Sequence, residues 1–167
     1  AFGFYYPDDL EALAAAGAEL VTVNALTDPA LPADLDGLFI GGGFPETQMA
    51  ALSANTGFRA ELARRIAEGL PVYAECGGLM YLSREIAWGA ERHPMVGALP
   101  GRVEMTDRPV GRGLVRLRET GASPWPLIAP GAEVAAHEFH YSRLVDVDPT
   151  LPHAWEVLRG HGVDGAR

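Results

Sequence analysis

Pro71-Val72-Tyr73-Ala74-Glu75-Cys76-Gly77-Gly78-Leu79-Met80 carries the only cysteine of the chain out of a short apolar strand, through two glycines, into an apolar run of helical character. A strand-to-helix turn puts its side chain at the carboxyl edge of a sheet, where open α/β proteins bind their ligands. Gly77 and Gly78 keep the turn free of Cβ clashes and let a substrate approach the main chain. The dipole of the following helix favours a thiolate at its start. Cys76 therefore has the setting of a nucleophile on a sharp elbow. Free cysteine is also common as a small core residue, and the flanking glycines tip the reading toward the nucleophile.

Working outward, the stretch before this strand is helical. Thr56 caps a segment in which Phe58, Leu62 and Ile66 share one face and Gly69 stops the helix. Gly37-Leu38-Phe39-Ile40 reads as another buried strand, and residues 19–23, Glu-Leu-Val-Thr-Val, as a β-branched one. Ahead of them Pro7-Asp8-Asp9-Leu10-Glu11 pairs an Asp cap with a Glu, and Leu10, Leu13 and Ala14 follow at helical spacing up to Gly17. That predicts a first helix over about residues 9–16. Strand–helix–strand alternation predicts an α/β fold with an open, mainly parallel, flavodoxin-like sheet flanked by helices. The second half changes character. Residues 113–118 and 133–141 alternate as antiparallel strands do, and Trp155-Glu156-Val157-Leu158 adds a further strand. The Pro-containing stretches 124–130 and 149–152 read as loops, and a single domain over 1–167 is the simplest division.

A second glycine cluster, Gly41-Gly42-Gly43-Phe44-Pro45-Glu46, follows directly on the strand ending at Ile40. It falls at the same sheet edge as Cys76, and Pro45 suits an early helical position. Free amides of Gly42 and Gly43, with that of Gly77, would hold a tetrahedral intermediate on Cys76 between fixed main-chain dipoles. The plainer reading is a tight turn. A phosphate-binding loop is disfavoured because no Lys-Ser/Thr follows.

A formal charge of −9 argues against nucleic-acid binding, which clustered Lys and Arg carry. Arg64-Arg65 reads as a solvated helix face. One cysteine excludes an internal disulfide framework and suits a reducing, cytoplasmic setting, and no apolar run is long enough for a membrane span. The opening Ala1-Phe2-Gly3-Phe4-Tyr5-Tyr6 and the loop-like close over residues 160–167 suggest a piece of a longer chain, incomplete at both ends.

Three separated motifs carry a family resemblance: Gly41-Gly42-Gly43-Phe44-Pro45-Glu46, then Ala74-Glu75-Cys76-Gly77-Gly78-Leu79-Met80-Tyr81-Leu82, then His137-Glu138-Phe139-His140-Tyr141-Ser142. Together with the opening Ala1-Phe2-Gly3-Phe4-Tyr5-Tyr6-Pro7, they resemble the glutaminase domain of the cobyrinate (or hydrogenobyrinate) a,c-diamide synthases, a class I-like glutamine amidotransferase domain of cobalamin pathways. Glu75 and Leu79-Met80 favour this branch over the related cobyric acid synthases and lipid-precursor amidases, whose elbow is of the Ile-Cys-Gly-Gly-Tyr-Gln type. The resemblance implies that Cys76 attacks the side-chain amide of glutamine, releases ammonia, and leaves a glutamyl thioester for water. It also implies a synthetase domain elsewhere in the longer chain, with ATP and Mg²⁺, that amidates the a- and c-carboxylates of a corrinoid. No cofactor and no metal are expected in residues 1–167 themselves.

Members of that family continue into a Ser-Tyr-x-His-Leu-His segment whose histidine activates the nucleophile, and this sequence stops before it. Either the base lies in that segment or an internal histidine serves, with His140 the leading candidate. On a strand Glu138 and His140 share a face, so a carboxylate would orient an imidazole. His137 and His140 fall on opposite faces, which favours hydrogen-bonded histidines over a zinc site. Glu75 either turns away to a backbone partner or shapes the elbow. Arg102, Arg108 and Arg112 are candidates for a carboxylate but are usually paired or solvated. Trp88, Trp125 and Tyr5-Tyr6 are expected in packing. Rival functions on the same residues are a cysteine peptidase or γ-glutamyl hydrolase, and a catalytically silent docking or regulatory domain.

Overall fold

A computed structural model describes residues 1–125 and 128–165. The chain forms two compact units, Ala1–Leu99 and Pro100–Arg167. In the expected loop over 124–130, Pro126 and Leu127 lie outside the described residues, as do Ala166 and Arg167 of the closing loop.

The first unit begins with β1 (Phe2–Phe4) and α1 (Pro7–Ala15). The helix starts two residues earlier than the sequence suggests. Pro7 occupies its first turn, Tyr6 is the cap residue without a side-chain bond, and Asp8 and Asp9 sit inside the first turn, where the helix dipole favours them. The strand expected over 19–23 does not form. Next come β2 (Leu38–Ile40), β3 (Gly42–Gly43), a 3-10 turn over Pro45–Gln48, α2 (Met49–Ala54) and α3 (Thr56–Ala67). The unit closes with β4 (Val72–Ala74), α4 (Gly77–Leu82) and the strands β5 (Glu85–Trp88) and β6 (Glu91–Pro94).

The strand pair that positions the elbow is β2 with β4, parallel, in the register Leu38↔Val72, Phe39↔Tyr73, Ile40↔Ala74. The fold is α/β as expected, with its described parallel pairing confined to these two strands. β1 runs antiparallel to β3, and β5 and β6 form a hairpin. The α3 face read from the sequence is the buried one: Phe58 and Leu62 are buried with Leu52, Met80, Tyr81 and Ile86. Gly69 ends that helix at φ +102°, donating to Ile66 O (3.0 Å), while Leu70 N–H reaches Arg65 O (2.9 Å).

The N-cap of α3 is Asn55, not Thr56. Its Oδ1 accepts from the Phe58 amide (3.4 Å), and its Nδ2 donates to Ala25 O (3.0 Å) and Asp28 O (2.8 Å). One side chain thus caps the helix and holds the 24–28 loop against it. Asn55→Ala removes the cap and leaves two carbonyls of a half-buried loop without a donor. We expect a loss of about 2 kcal/mol, read from the midpoint of denaturant unfolding.

The second unit is antiparallel, as the alternation in the sequence implies. It holds β7 (Arg102–Met105), β8 (Gly111–Glu119), β9 (Glu133–His140), β10 (Ser142–Val145) and β11 (Trp155–Arg159). β8 lies between β9 and β11, and β7 pairs with β10. Val103, Val115 and Leu144 are buried there.

Candidate active site

Cys76 is exposed and stands between β4 and α4 with φ 47° and ψ −107°, a backbone conformation that costs a residue with a side chain on the order of 1–3 kcal/mol. The surrounding contacts over-determine it. Glu75 N–H donates to Ile40 O (3.0 Å), Gly78 N–H to Glu75 O (2.7 Å), and Met80 N–H to Cys76 O (3.1 Å). The amide of Gly77, at the first position of α4, has no acceptor among the described residues.

Close approach explains the two glycines. A Cβ on Gly77 would stand 2.9 Å from Pro45 Cδ and 3.0 Å from both N and O of Gly43. A Cβ on Gly78 would stand 2.3 Å from Ile40 O. The elbow is therefore pressed against the segment that follows β2, and a Cβ on Gly42 would lie 3.7 Å from Cys76 Cβ. The two glycine clusters meet, as the sequence predicts.

The open loop expected over Gly42 and Gly43 is instead a short strand. They pair with β1 in the register Phe2↔Gly43 and Phe4↔Gly42, and the next amide, Phe44 N–H, donates to Ala1 O (3.0 Å). Pro45 does begin a helical turn, and half-buried Glu46 within it has its carboxyl pushed up by burial, partly offset by a bond from backbone. The Glu75 carboxylate accepts from the Tyr73 hydroxyl (2.8 Å), and burial together with that carboxylate pushes the phenol up to about 12.

In the second unit Glu138 and His140 share a face of β9, with His140 Nε2 3.6 Å from Glu138 Oε2. His137, on the other face, is exposed. The Glu138 carboxylate accepts from the amides of His161 (3.0 Å) and Gly162 (3.1 Å). The ring of His140 is turned inward. Its Nδ1 lies 2.7 Å from Ser142 O, which as a carbonyl must accept, so Nδ1 carries the proton. Nε2 is buried without a hydrogen bond among the described residues, and Gly111 closes over it: a Cβ there would come within 2.2 Å of Nε2. In a nucleophile–histidine–carboxylate triad one ring nitrogen is oriented by the acid and the other faces the nucleophile. Here one faces a carbonyl and the other the acid. The sequence missed Gly111 as part of this cluster; a glycine in a strand pattern, marking close approach of another group, was the available signal.

Burial pushes the Glu138 carboxyl up, but the His161 and Gly162 amides and the neighbouring His140 outweigh it and hold the group below the ordinary carboxylate range. A lowered carboxylate stabilises the fold while ionised, so its contribution is present above the ordinary value and is lost as pH falls through the folded one. Glu138→Gln is expected to cost about 1–3 kcal/mol at neutral pH and to flatten the acid limb of stability, measured by denaturant unfolding between about pH 7 and 3.

The other sequence candidates disperse. Arg102 binds Glu104 and Asp146 (2.6 Å each), and Glu104 also receives Arg143 (2.9 Å). Arg108 and Arg112 are exposed. Arg64 pairs with Glu68, but Arg65 is not simply solvated, since its guanidinium donates to Pro32 O (3.3 Å) and Leu35 O (3.1 Å). Tyr5 packs edge-on to Phe39 at 5.2 Å as expected of a packing residue, whereas Tyr6, Trp88 and Trp125 are exposed. No group of three metal-ligating side chains occurs among the described residues, and no helix there is long and apolar enough to cross a membrane.

The profile described as the CobB/CobQ-like glutamine amidotransferase domain matches residues 1–166. A cobyrinate a,c-diamide synthase of Magnetococcus marinus is 46% identical over 99% of this chain and 35% of its own length. One from Syntrophotalea carbinolica is 43% identical over 94% of this chain and 34% of its own. The chain thus spans about a third of the length of these curated relatives. A solved glutamine amidotransferase is similar at a TM-score of 0.62 and 22% identity, covering 89% of this chain and 72% of that one, a likeness of fold.

Proposed function

Because this chain belongs to the CobB/CobQ-like glutamine amidotransferase domain family, we propose that Cys76 is the nucleophile of a glutaminase that supplies ammonia to a partner reaction. The thiolate attacks the side-chain carbonyl of glutamine, the amide nitrogen leaves as ammonia after protonation, and water hydrolyses the remaining glutamyl thioester to glutamate. The observation that carries this reading is the exposed Cys76 in a conformation held by the Ile40, Glu75 and Met80 main chain.

The Gly77 amide is the first oxyanion donor in this proposal, and an amide of the adjoining Gly42–Gly43 segment the second. His140, with both ring nitrogens turned inward, acts with Glu138 as a clasp on residues 161–162. The base is then a histidine of the longer polypeptide. His140→Gln is expected to leave the rate of Cys76 modification within about 3-fold of the parent, whereas a 100-fold fall would make His140 the base.

For the longer polypeptide we propose ATP- and Mg²⁺-dependent amidation of the a- and c-carboxylates of a corrinoid by a synthetase domain, in the cytoplasm, with the ammonia produced at Cys76. In this proposal ATP and Mg²⁺ belong to that domain, and residues 1–167 need no cofactor of their own. Glutamine labelled with ¹⁵N in its side-chain amide tests this. Label should appear in free ammonia, and in the diamide when corrinoid, ATP and Mg²⁺ are present. Label retained in glutamine would overturn the proposal.

A further inference from the structure

Gly41, Gly42, Gly43, Gly77 and Gly78 make up the two clusters at the elbow, and packing accounts for all of them but Gly42. A Cβ on Gly41 would collide with Phe4 O and one on Gly43 with Ala1 O, while those on Gly77 and Gly78 would crowd Pro45 and Ile40. Gly42 differs. The atoms nearest to a Cβ there are Phe4 Cβ at 3.5 Å, Phe4 Cδ2 at 3.6 Å and Cys76 Cβ at 3.7 Å, all at ordinary van der Waals separation. Nor does Gly42 adopt a positive φ, as Gly69 and Gly89 do. Alanine fits this position, so the fold gives no reason for the missing side chain. A glycine inside a strand marks the close approach of another backbone or of a ligand, and here no backbone comes close.

The missing side chain leaves a gap between the carbon that bears the thiol and the ring of Phe4. Gly42, itself buried, is its floor. A methyl group there would touch both walls at once, so the gap is one carbon wide at its base. Phe4 is set in place by its register with Gly42, and its ring meets that of Phe44 edge-on with centroids 5.3 Å apart. Both rings are more than half exposed, and so is the cysteine beside them. They offer an apolar surface next to a nucleophile, ready to be covered by a bound group.

We infer that Gly42 and Phe4 select the acyl chain of the substrate at Cys76, an inference that rests on the glutaminase reading. The side-chain methylenes of glutamine lie along Phe4 and Phe44, and the carbon next to the carboxamide passes over Gly42. In the thioester that carbon is three bonds from Cys76 Cβ, so it must run close to the atom that forms one wall of the gap. An unbranched methylene passes a gap one carbon wide, and a carbon carrying a substituent does not. The class accepted is therefore an unbranched chain ending in a carboxamide. This role belongs to the absent side chain of Gly42 and is separate from any role of its amide, which alanine would retain.

Labelling of Cys76 in the longer polypeptide tests the inference, with the chloromethyl ketone analogue of glutamine run beside methyl methanethiosulfonate, a small reagent that has no chain to place. Gly42→Ala should slow labelling by the analogue at least ~10-fold, as one misplaced methylene does in an apolar site, and leave the small reagent within about 3-fold of the parent. Its unfolding midpoint should be no lower than the parent's, since alanine restricts the unfolded chain and meets no clash. Phe4→Ala should weaken saturation by the analogue ~10-fold, the worth of two methylenes returned to water, with the small reagent again unaffected. Labelling of Gly42→Ala by the analogue at the parent's rate would overturn the inference. So would equal slowing by both reagents, which would mean that the methyl displaces the elbow, or a lowered midpoint, which would make Gly42 a packing residue. A parent labelled by the small reagent and not by the analogue is a different result, one that removes the glutaminase reading and this inference with it.

Discussion

Cys76→Ser should lower ammonia release from glutamine by at least ~10³-fold while leaving the unfolding midpoint unchanged within error. The side chain is exposed, so exchanging sulfur for oxygen removes no core packing. The strained φ of 47° is imposed by main-chain contacts with Ile40, Glu75 and Met80 that do not involve the sulfur. A serine at this turn keeps the geometry but replaces the thiol with an alcohol, a far weaker acid and a poorer nucleophile. Equal losses of stability and activity would instead mark Cys76 as a packing residue.

Gly78→Ala is the substitution with the largest expected cost to folding, about 3 kcal/mol or more. The added Cβ would meet Ile40 O at 2.3 Å, Ile40 Cβ at 2.9 Å and Ile40 C at 3.0 Å. Backbone cannot rotate away as the tip of a long side chain can, so α4 must lift from β2 and carry the elbow with it. Denaturant unfolding should show the loss, and glutamine hydrolysis should fall with it because the Gly77 amide moves. Gly3→Ala is the matching control. Its Cβ meets nothing within 4 Å, and its effect should stay within about 0.5 kcal/mol.

Much of this was legible in the sequence where a feature depends on its neighbours in the chain. A glycine pair after a strand and before an apolar run announces the Cys76 elbow, Gly69 stops α3 by accepting a positive φ, and period-two alternation marks β8 and β9. Extended propensity alone does not supply a pairing partner, which is why residues 19–23 form no strand here. Asn55 and Thr56 are both good caps side by side, and only the positions of Ala25 O and Asp28 O decide between them. The β5–β6 hairpin had a local signal, Gly89 at the first place of a two-residue turn, but Glu91-Arg92-His93-Pro94 lacks the β-branched and aromatic residues of a strand.

Within the site the limit is sequence distance. Alternation places Glu138 and His140 on one face of β9, and the structure brings them to 3.6 Å. It does not reveal that the same carboxylate would bind amides 23 and 24 residues further on, or that Ser142 O and Gly111 would turn the imidazole inward. Likewise three glycines after a strand read as an open loop until β1 pairs with Gly42 and Gly43.

A nucleophilic Cys76 in a glutamine pocket requires that a glutamine-shaped electrophile reach the thiol. Labelling the longer polypeptide with an electrophilic glutamine analogue, followed by mass-spectrometric mapping of the adduct, addresses it most directly. Stoichiometric modification at Cys76, suppressed by excess glutamine, is the expected result. Modification of Cys76 that glutamine does not slow, or no analogue adduct while a small alkylating agent labels the same thiol, would contradict it.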